Sequence, residues 1–524
     1  MKKLLSVFIT AALLMSALLG LSVSAEGNTN TISVYSGTPD VDFWDNNIEG
    51  LMDGSITEVT IATADQLMAF AQITGGFDFA GCTIKLGADM VINSGDASTW
   101  GETAPAYAWI TYFTWQTPFK GNFDGQGHVI SGLYSKPFPA GTTGLFNIVG
   151  DDTSFKNVSI VNSYFESTAI EDNCAIGGLI GYIQHSATAT SPKTVSIDNV
   201  HVDAILKAGT GRNVGGILGK PSATQAQYST VNINNCSFTG SISTEGGFSG
   251  GLVGSNNNGA KLNITSCLVD AEISCGKYDD SNAYVGGILG YQNNNDITIE
   301  NCAVYGSISS KKQSGTATLI GGINSSTGKN ITVTINNVLL AVEPKSDLHA
   351  MLCKYWANGT INLAITSVKY DSTLLTSVSE KMFSAGGTGA TGDTNFVAEG
   401  IMTLLITGEE IFTGWTAVDN DYPLPSGLTV PTIDIDAFKN VAQVIPDPDD
   451  NTNGDNTTEN TDDNNNSDQG TTDSETDAPV ADTTEAPAED EGGCGSSISA
   501  VSTVALVMGV AVIALAISKK KAKN

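Results

Sequence analysis

The chain has 524 residues, with 55 acids against 24 bases and a formal net charge of −31, and Arg212 is its one arginine. That charge excludes a reader of the nucleic-acid backbone, which needs clustered cations to displace phosphate counterions. Four histidines, eight cysteines and no CxxC spacing argue against a zinc site, and nothing in the sequence implies a cofactor.

In chain order, residues 1–25 read as a cleaved secretory signal: Lys2 and Lys3, an apolar run from Leu4 to Val23, and the small-residue site Val23-Ser24-Ala25. The mature body, 26–446, holds 39 acids and 18 bases. Its first part, 26–118, is predicted to be an N-terminal cap with lead-in strands. Thr63 and Gln66 make a capping box, and Leu67, Phe70 and Ala71 fall on one face of a short helix. Such a helix covers an end that would otherwise be an open edge.

The cap runs into "WGETAPAYAWITYFTWQTPF", Trp100–Phe119, which holds seven aromatics and three of the six tryptophans. Exposed aromatic rings stack on sugars and anchor protein interfaces. Tyr107, Trp109 and Tyr112 are the candidate ligand-binding residues, the alternative being that they pack inward as cap core.

Next comes "FKGNFDGQGHVISGLY", Phe119–Tyr134, with an acid, a histidine and closely spaced glycines. A dinucleotide fingerprint needs a third glycine where Ile130 stands, and "GGILGKP" departs from a phosphate loop at Val214 and Pro221. Asp-Gly and Gln-Gly are tight-turn pairs, so Asp124, Gly125, Gly127 and His128 read as a scaffold turn rather than a catalytic dyad.

Residues 119–345 repeat. "GGLIG" (Gly177), "GGILG" (Gly215), "GGLVG" (Gly250) and "GGILG" (Gly286), with weaker copies at Thr143 and Gly321, recur at steps of 34 to 38 residues. They alternate with "FKNVSI", "IDNVHV", "INNCSF", "ITSCLV", "IENCAV" and "INNVLL", starting at Phe155, Ile197, Ile233, Ile264, Ile299 and Ile335. Short β-branched stretches of period two, bounded by Gly and Asn, with no helical stretch or propeller-blade motif, predict a parallel β-solenoid. The third position of the second element is Asn157, Asn199, Asn235, Ser266, Asn301 and Asn337, residue types that tolerate a left-handed turn and stack as ladders. The fourth position alternates Val158, Val200 and Val338 with Cys236, Cys267 and Cys302, so these cysteines are expected to be buried thiols rather than disulfides.

The order of these motifs resembles the GLUG-repeat family of bacterial surface proteins, in which "FxGxFDGxGHxIxGL" leads into copies of "GG(L/I)(I/V/L)G". The resemblance spans about 56–425, including the lead-in from Ile56 and "GWTAVDNDYPLP" at Gly414–Pro425. It implies an all-β, right-handed parallel β-helix serving as an extracellular scaffold, and it names no ligand. It also implies that Trp115, Pro118 and Phe119, where the lead-in meets the first coil, belong to the scaffold.

Residues 346–446 are predicted to close the solenoid. A disordered acidic tether, 447–497, follows: 16 acids and no base over 447–492 leave too little apolar surface to fold. "DDNTNG" at Asp449 opens like an EF-hand loop, but Asn460 stands where the bidentate Glu belongs. Ile498–Ile517 is an uncharged run the length of a membrane-spanning helix, and the lysines within the tail 518–524 place that tail in the cytoplasm and the body at the cell surface. "GGCGSS" around Cys494 resembles a processed sorting tag, or is a plain spacer.

β-Helices are common among polysaccharide lyases and pectin hydrolases. Lyases need cations near the uronate carboxylate, which this chain lacks, and glycosidases need two facing carboxylates. Asp151-Asp152, Glu171-Asp172 and Asp279-Asp280 read as turn acids, and the HExxH of the IgA-specific metallopeptidases that carry GLUG repeats is absent. The expected function is non-catalytic display of the β-helix for adhesion or for binding a glycan or an extracellular protein. A structural stalk and a carbohydrate-active enzyme are the alternatives.

Overall fold

The computed structural model describes residues 31–443, apart from short internal segments at 74–75, 137–140, 168–173, 187–188, 210–211, 222–228, 258, 277–282, 312–314, 377–381, 386–389, 402–410 and 419–420. The signal, the tether, Cys494 and the run 498–517 lie outside the described residues. Among the described residues no helix is long and apolar enough to cross a membrane.

Each repeat lays strands on three parallel sheets in turn. In one coil Lys193–Ala208 joins a 17-stranded sheet, Arg212–Gly215 a six-stranded sheet and Leu218–Pro221 an eight-stranded sheet. Lys193–Ala208 pairs in parallel with Thr153–Ser167 of the coil before and with Ser229–Asn234 and Ser237–Thr244 of the coil after. The chain is therefore a parallel β-helix. The parallel stack extends beyond 119–345 at both ends. Ile32–Val34 pairs with Asp89–Val91 and Glu58–Ile61 with Thr83–Leu86 at the first edge of the long sheet, and Cys353–Ala357 with Thr360–Asp371 form a further coil. That coil carries a seventh copy of the second element, "ITSVKY" at Ile365, which the sequence comparison of copies missed.

The ladder positions behave as their chemistry predicts. Asn157, Asn199, Asn235, Ser266, Asn301, Asn337 and Ser367 all have φ between 49° and 55°. The Asn199 amide donates to Asn157 Oδ1 (2.9 Å) and the Asn337 amide to Asn301 Oδ1 (3.0 Å), while Ser266 interrupts the row. One residue on, Cys236, Cys267 and Cys302 are fully buried and free. In the four full copies the second glycine of "GG" turns the corner between the two smaller sheets, whereas at the weaker copy from Gly321 Thr318 stands at that corner and Gly322 lies within a strand, paired with Tyr291. The corner glycine's N–H donates to the matching carbonyl of the next coil, as from Gly178 to Gly216 (3.0 Å) and from Gly216 to Gly251 (3.0 Å). A Cβ on Gly178 would lie 2.5 Å from the Gly216 oxygen and from Val202, so the glycine is required by close approach rather than by φ.

Two helices close the first coil where the sequence predicts one. Helix α1 (Val41–Asp53) is capped by Asp40, whose carboxylate accepts from the Phe43 N–H, and ends at Gly54 with φ 76°. Its buried Trp44 and Leu51 lie two turns apart on one face, a pattern obscured by four acids, two asparagines and Gly50. Helix α2 (Ala64–Ile73) has the predicted cap: Thr63 Oγ1 accepts from the Gln66 N–H (3.2 Å). The returning Gln66 side chain accepts from Ala62 rather than from Thr63 (2.8 Å). Trp44 and Phe70 then join Phe79, Phe113 and Phe119 as an aromatic plug over the core.

The C-terminal segment 411–443 straps the solenoid lengthwise, running back toward its start. Phe412, Trp415 and Leu428 cover Leu268, Ala303 and Leu339, which point out of the long sheet. Tyr422 stacks on Tyr305 and its hydroxyl donates to Asp371 (2.9 Å). Farther along, the Thr429 N–H donates to Asn235 (3.0 Å). The short helix α3 (Ile435–Lys439) seats Phe438 on Val91, Val129 and Val161 of the first coils. Gln443 finally binds the Ser94 N–H (2.9 Å).

Candidate functional site

The turn "DGQGH" is scaffold. Gln126 and Gly127 have φ of 55° and 83°, and a Cβ on Gly125 would overlap the Asn157 carbonyl. Asp124 and His128 do not face each other. Asp124 accepts from the Gln126 N–H (3.1 Å) and the Asn157 amide (3.1 Å) and pairs with Lys156 (3.2 Å). Burial pushes its carboxyl up, but these partners more than offset that and hold it below the ordinary value. His128 Nδ1 lies 3.0 Å from Asp89.

The other carboxylates are similarly engaged. Asp151 lies 2.6 Å from His185 Nδ1 and accepts from the Ser186 N–H (2.6 Å), and Asp152 pairs with Lys193 (2.6 Å). Glu171-Asp172 and Asp279-Asp280 lie outside the described residues. A cleft of about 170 Å³ opens where α3 meets the first coils, lined by Asp96, Asn162, Asp203, Ile435 and Lys439 among others. Burial raises the Asp203 carboxyl, and hydrogen bonds from Ser98 lower that of Asp96. Opposed shifts are what an acid–base pair needs. Here, however, Asp96 caps the 97–99 turn through the Ser98 N–H (2.9 Å) and holds Lys439 at 3.1 Å. The cleft is also smaller than the usual ligand pocket of about 300 Å³ or more. It is the junction of the strap with the solenoid. Among the described residues no three His, Cys, Asp or Glu are grouped to hold a metal ion.

The aromatic segment divides by alternation. Trp109, Thr111 and Phe113 are buried, and Tyr112 between them is 41% exposed. Trp109 is 1% exposed, and its indole N–H donates to the Gly144 and Leu145 carbonyls (3.2 and 3.3 Å) at a glycine corner. It therefore has no face for a ligand, which corrects the expectation that it binds one. Period two could have shown this, because 109 and 112 differ by an odd number and point to opposite sides. Tyr107 is half-buried, with its ring edge-on to Tyr35 at 4.7 Å. Its N–H and carbonyl are held by the Asn93 side chain (2.9 and 2.8 Å).

Trp115, which the resemblance assigned to scaffold, is the other exposed ring, also at 41%. It sits in a turn closed by Thr114: that hydroxyl accepts from the Gln116 and Thr117 N–H groups (3.2 and 3.1 Å) and meets the Thr117 hydroxyl at 2.9 Å. The indole stands edge-on to Tyr182 on the eight-stranded sheet, with centroids 4.6 Å apart and planes at 87°. Tyr112 and Trp115 are thus large exposed rings carried by a hydrogen-bonded, packed segment.

No family model matches the chain, and no curated protein matches it. Among solved structures it is similar to a candidate immunoglobulin A1 protease from Bacteroides ovatus, at 20% identity and a TM-score of 0.40, over 59% of this chain and 83% of that one.

Proposed function

We propose that this is a non-catalytic bacterial surface protein of the GLUG-repeat kind, anchored by the apolar run 498–517. It displays a right-handed β-helix for adhesion, binding a glycan or an extracellular protein. The observation that carries the reading is the pair Tyr112 and Trp115, exposed on a segment that hydrogen bonds and Tyr182 hold in place. Rigid aromatic rings bind at low entropic expense, which is why they dominate binding hot spots. The absence of catalysis is supported by carboxylates engaged with scaffold partners at Asp89, Asp124 and Asp151. The test is to present the purified full chain to a panel of polysaccharides and matrix proteins, measuring both retention and turnover. Retention that Trp115→Ala weakens about 5- to 150-fold without loss of the melting transition supports the reading. Polysaccharide cleavage, lost in Asp203→Asn, overturns it in favour of an enzyme.

A further inference from the structure

Acids are placed unevenly in this molecule. The strands of the long sheet carry Glu58, Asp89, Asp124, Asp203, Asp270 and Glu300, among others. The strands of the six- and eight-stranded sheets carry no Asp or Glu at all, in a chain with 55 acids. Their only cationic residues are Arg212, Lys220 and Lys354. A cationic partner thus finds no carboxylate on these strands, and a polyanion finds few counter-charges on a protein of net charge −31.

Aromatic rings gather on this carboxylate-free side. Phe248, Tyr284, Tyr291 and Trp356 are each half-buried. Phe248, Tyr284 and Tyr291 stack mutually, with centroids 4.9 to 5.5 Å apart and planes within 27°. Trp356 meets Tyr284 edge-on at 5.2 Å. Glycine makes the floor beneath them: a Cβ on Gly322 would lie 2.8 Å from the Tyr284 ring and 3.0 Å from that of Trp356. Beside the rings runs an amide row, Asn324 donating to Asn293 and Asn293 to Asn257 (both 2.8 Å).

The register links this cluster to Trp115. Tyr182, on which Trp115 rests, pairs with Lys220; in the next coil Leu218 pairs with Val253, and two residues on from Val253, Ser255 pairs with Tyr291. Three strand spacings separate Tyr182 from Tyr291, about 14 Å. Rings at both ends of a ladder of equal steps that carries no acid, with Lys220 in the column and Lys354 Nζ over the Trp356 ring (4.7 Å), fit a ligand that is itself linear, repetitive and uncharged, with apolar ring faces for stacking and hydroxyls for amides and amines.

We infer that the eight-stranded sheet is a binding strip for an uncharged polysaccharide, lying lengthwise from Trp115 and Tyr182 to Tyr291 and Trp356. This rests on the reading that the β-helix binds a ligand, and supplies the ligand's class and path. The experiment is affinity electrophoresis of the purified full chain in gels containing a neutral polysaccharide (β-glucan, galactomannan or xylan) or an anionic one (polygalacturonate or heparin). At least one neutral polymer is expected to retard the protein, in molar salt as well as in dilute buffer. Trp115→Ala, Tyr291→Leu and Trp356→Leu should each weaken that retardation by about tenfold or more. Leu preserves apolar volume over the glycine floor, and Trp356→Phe, which keeps a ring, should restore binding, so loss of folding is distinguished from loss of the ring. Retardation by anionic polymers alone, abolished by salt, overturns the inference. So does neutral-polymer binding that Trp115→Ala weakens but Tyr291→Leu and Trp356→Leu leave unchanged, although the proposed function then stands. If no polysaccharide is bound and a matrix protein is, the strip is likewise refuted and the display reading survives. No binding to any polymer or protein removes both.

Discussion

Single residues hold the coils in register through two ladders and one buried imidazole. Asn199 combines a φ of 54° with an amide that donates to Asn157 and an oxygen that faces Asn235 (3.4 Å) and His201 Nε2 (3.1 Å). Ala there meets both the left-handed strain and the lost bonds, whereas Gly meets only the second. Asn199→Ala is expected to destabilise by about 1–3 kcal/mol and Asn199→Gly by less, read by denaturant melts. The thiols stack similarly, and burial pushes Cys267 and Cys302 well up, so they stay protonated. Alkylation should spare Cys236, Cys267 and Cys302 in the native protein and modify all three after denaturation. Cys267→Val, which copies Val200 and Val338, should cost less than about 1.5 kcal/mol. A disulfide among the three in mass spectra would contradict this. Burial also holds His201 down at about 4, against about 6.5 for an unfolded imidazole. With the folded value depressed, its contribution is present above pH 6.5 and lost as pH falls from about 6.5 toward 4, where the unfolded chain takes up the proton first. The melting temperature should decline across that window, and His201→Gln should flatten the decline.

The strap is the element whose role local sequence conceals most. Residues 411–443 form one hairpin and a five-residue helix, and little of the segment is in regular structure. Its stability comes from apolar side chains seated on outward-facing Leu268, Ala303 and Leu339 at one end and Val91, Val129 and Val161 at the other. Phe438, 6% exposed, is the anchor of the second site. Phe438→Ala should cost about 3 kcal/mol or more if the strap melts with the solenoid. Deleting 411–443 should leave a folded β-helix that melts earlier and binds an apolar dye, because the covered leucines and valines become two exposed apolar patches. Unchanged dye binding would mean the strap covers nothing of consequence.

At the scale of the whole molecule, a solenoid has two ends, each a row of unpaired backbone groups and open core. The first end is closed by α1, α2 and the plug of Trp44, Phe70 and Phe79, whereas the strap brings residue 443 back beside Ser94 near that same end. Removing residues 31–56 should uncover Phe70 and Phe79 and yield soluble aggregates in light scattering, while full-length protein stays monodisperse. A monodisperse truncation would show that α2 closes the coil alone. The returning strap also places residue 443 beside the N-terminal coils, with the last strands of the stack, Ala390–Gly392 and Glu399–Ile401, at the opposite end.

Much of this was legible in the chain because a repeat states its environment several times. Six copies of one element fixed the parallel stacking, the left-handed positions at Asn157 through Asn337 and the burial of three thiols, since equivalent residues on adjacent strands must share one solution. The Thr63–Gln66 cap was equally local. What the chain alone did not reveal depends on contacts between residues far apart. Trp109 is buried because Gly144 and Leu145 offer it two carbonyls, and Trp115 is exposed because Thr114 closes a turn under it. The strap's course is set by apolar residues on six separate coils, none adjacent to it in sequence. The carboxylate-free face is present in the composition of fourteen short strands, but only the fold gathers them into two sheets with Tyr291 three coils above Tyr182. Periodicity fixes what each residue's own coil requires; which surface those coils jointly present is decided by register and by what packs across it.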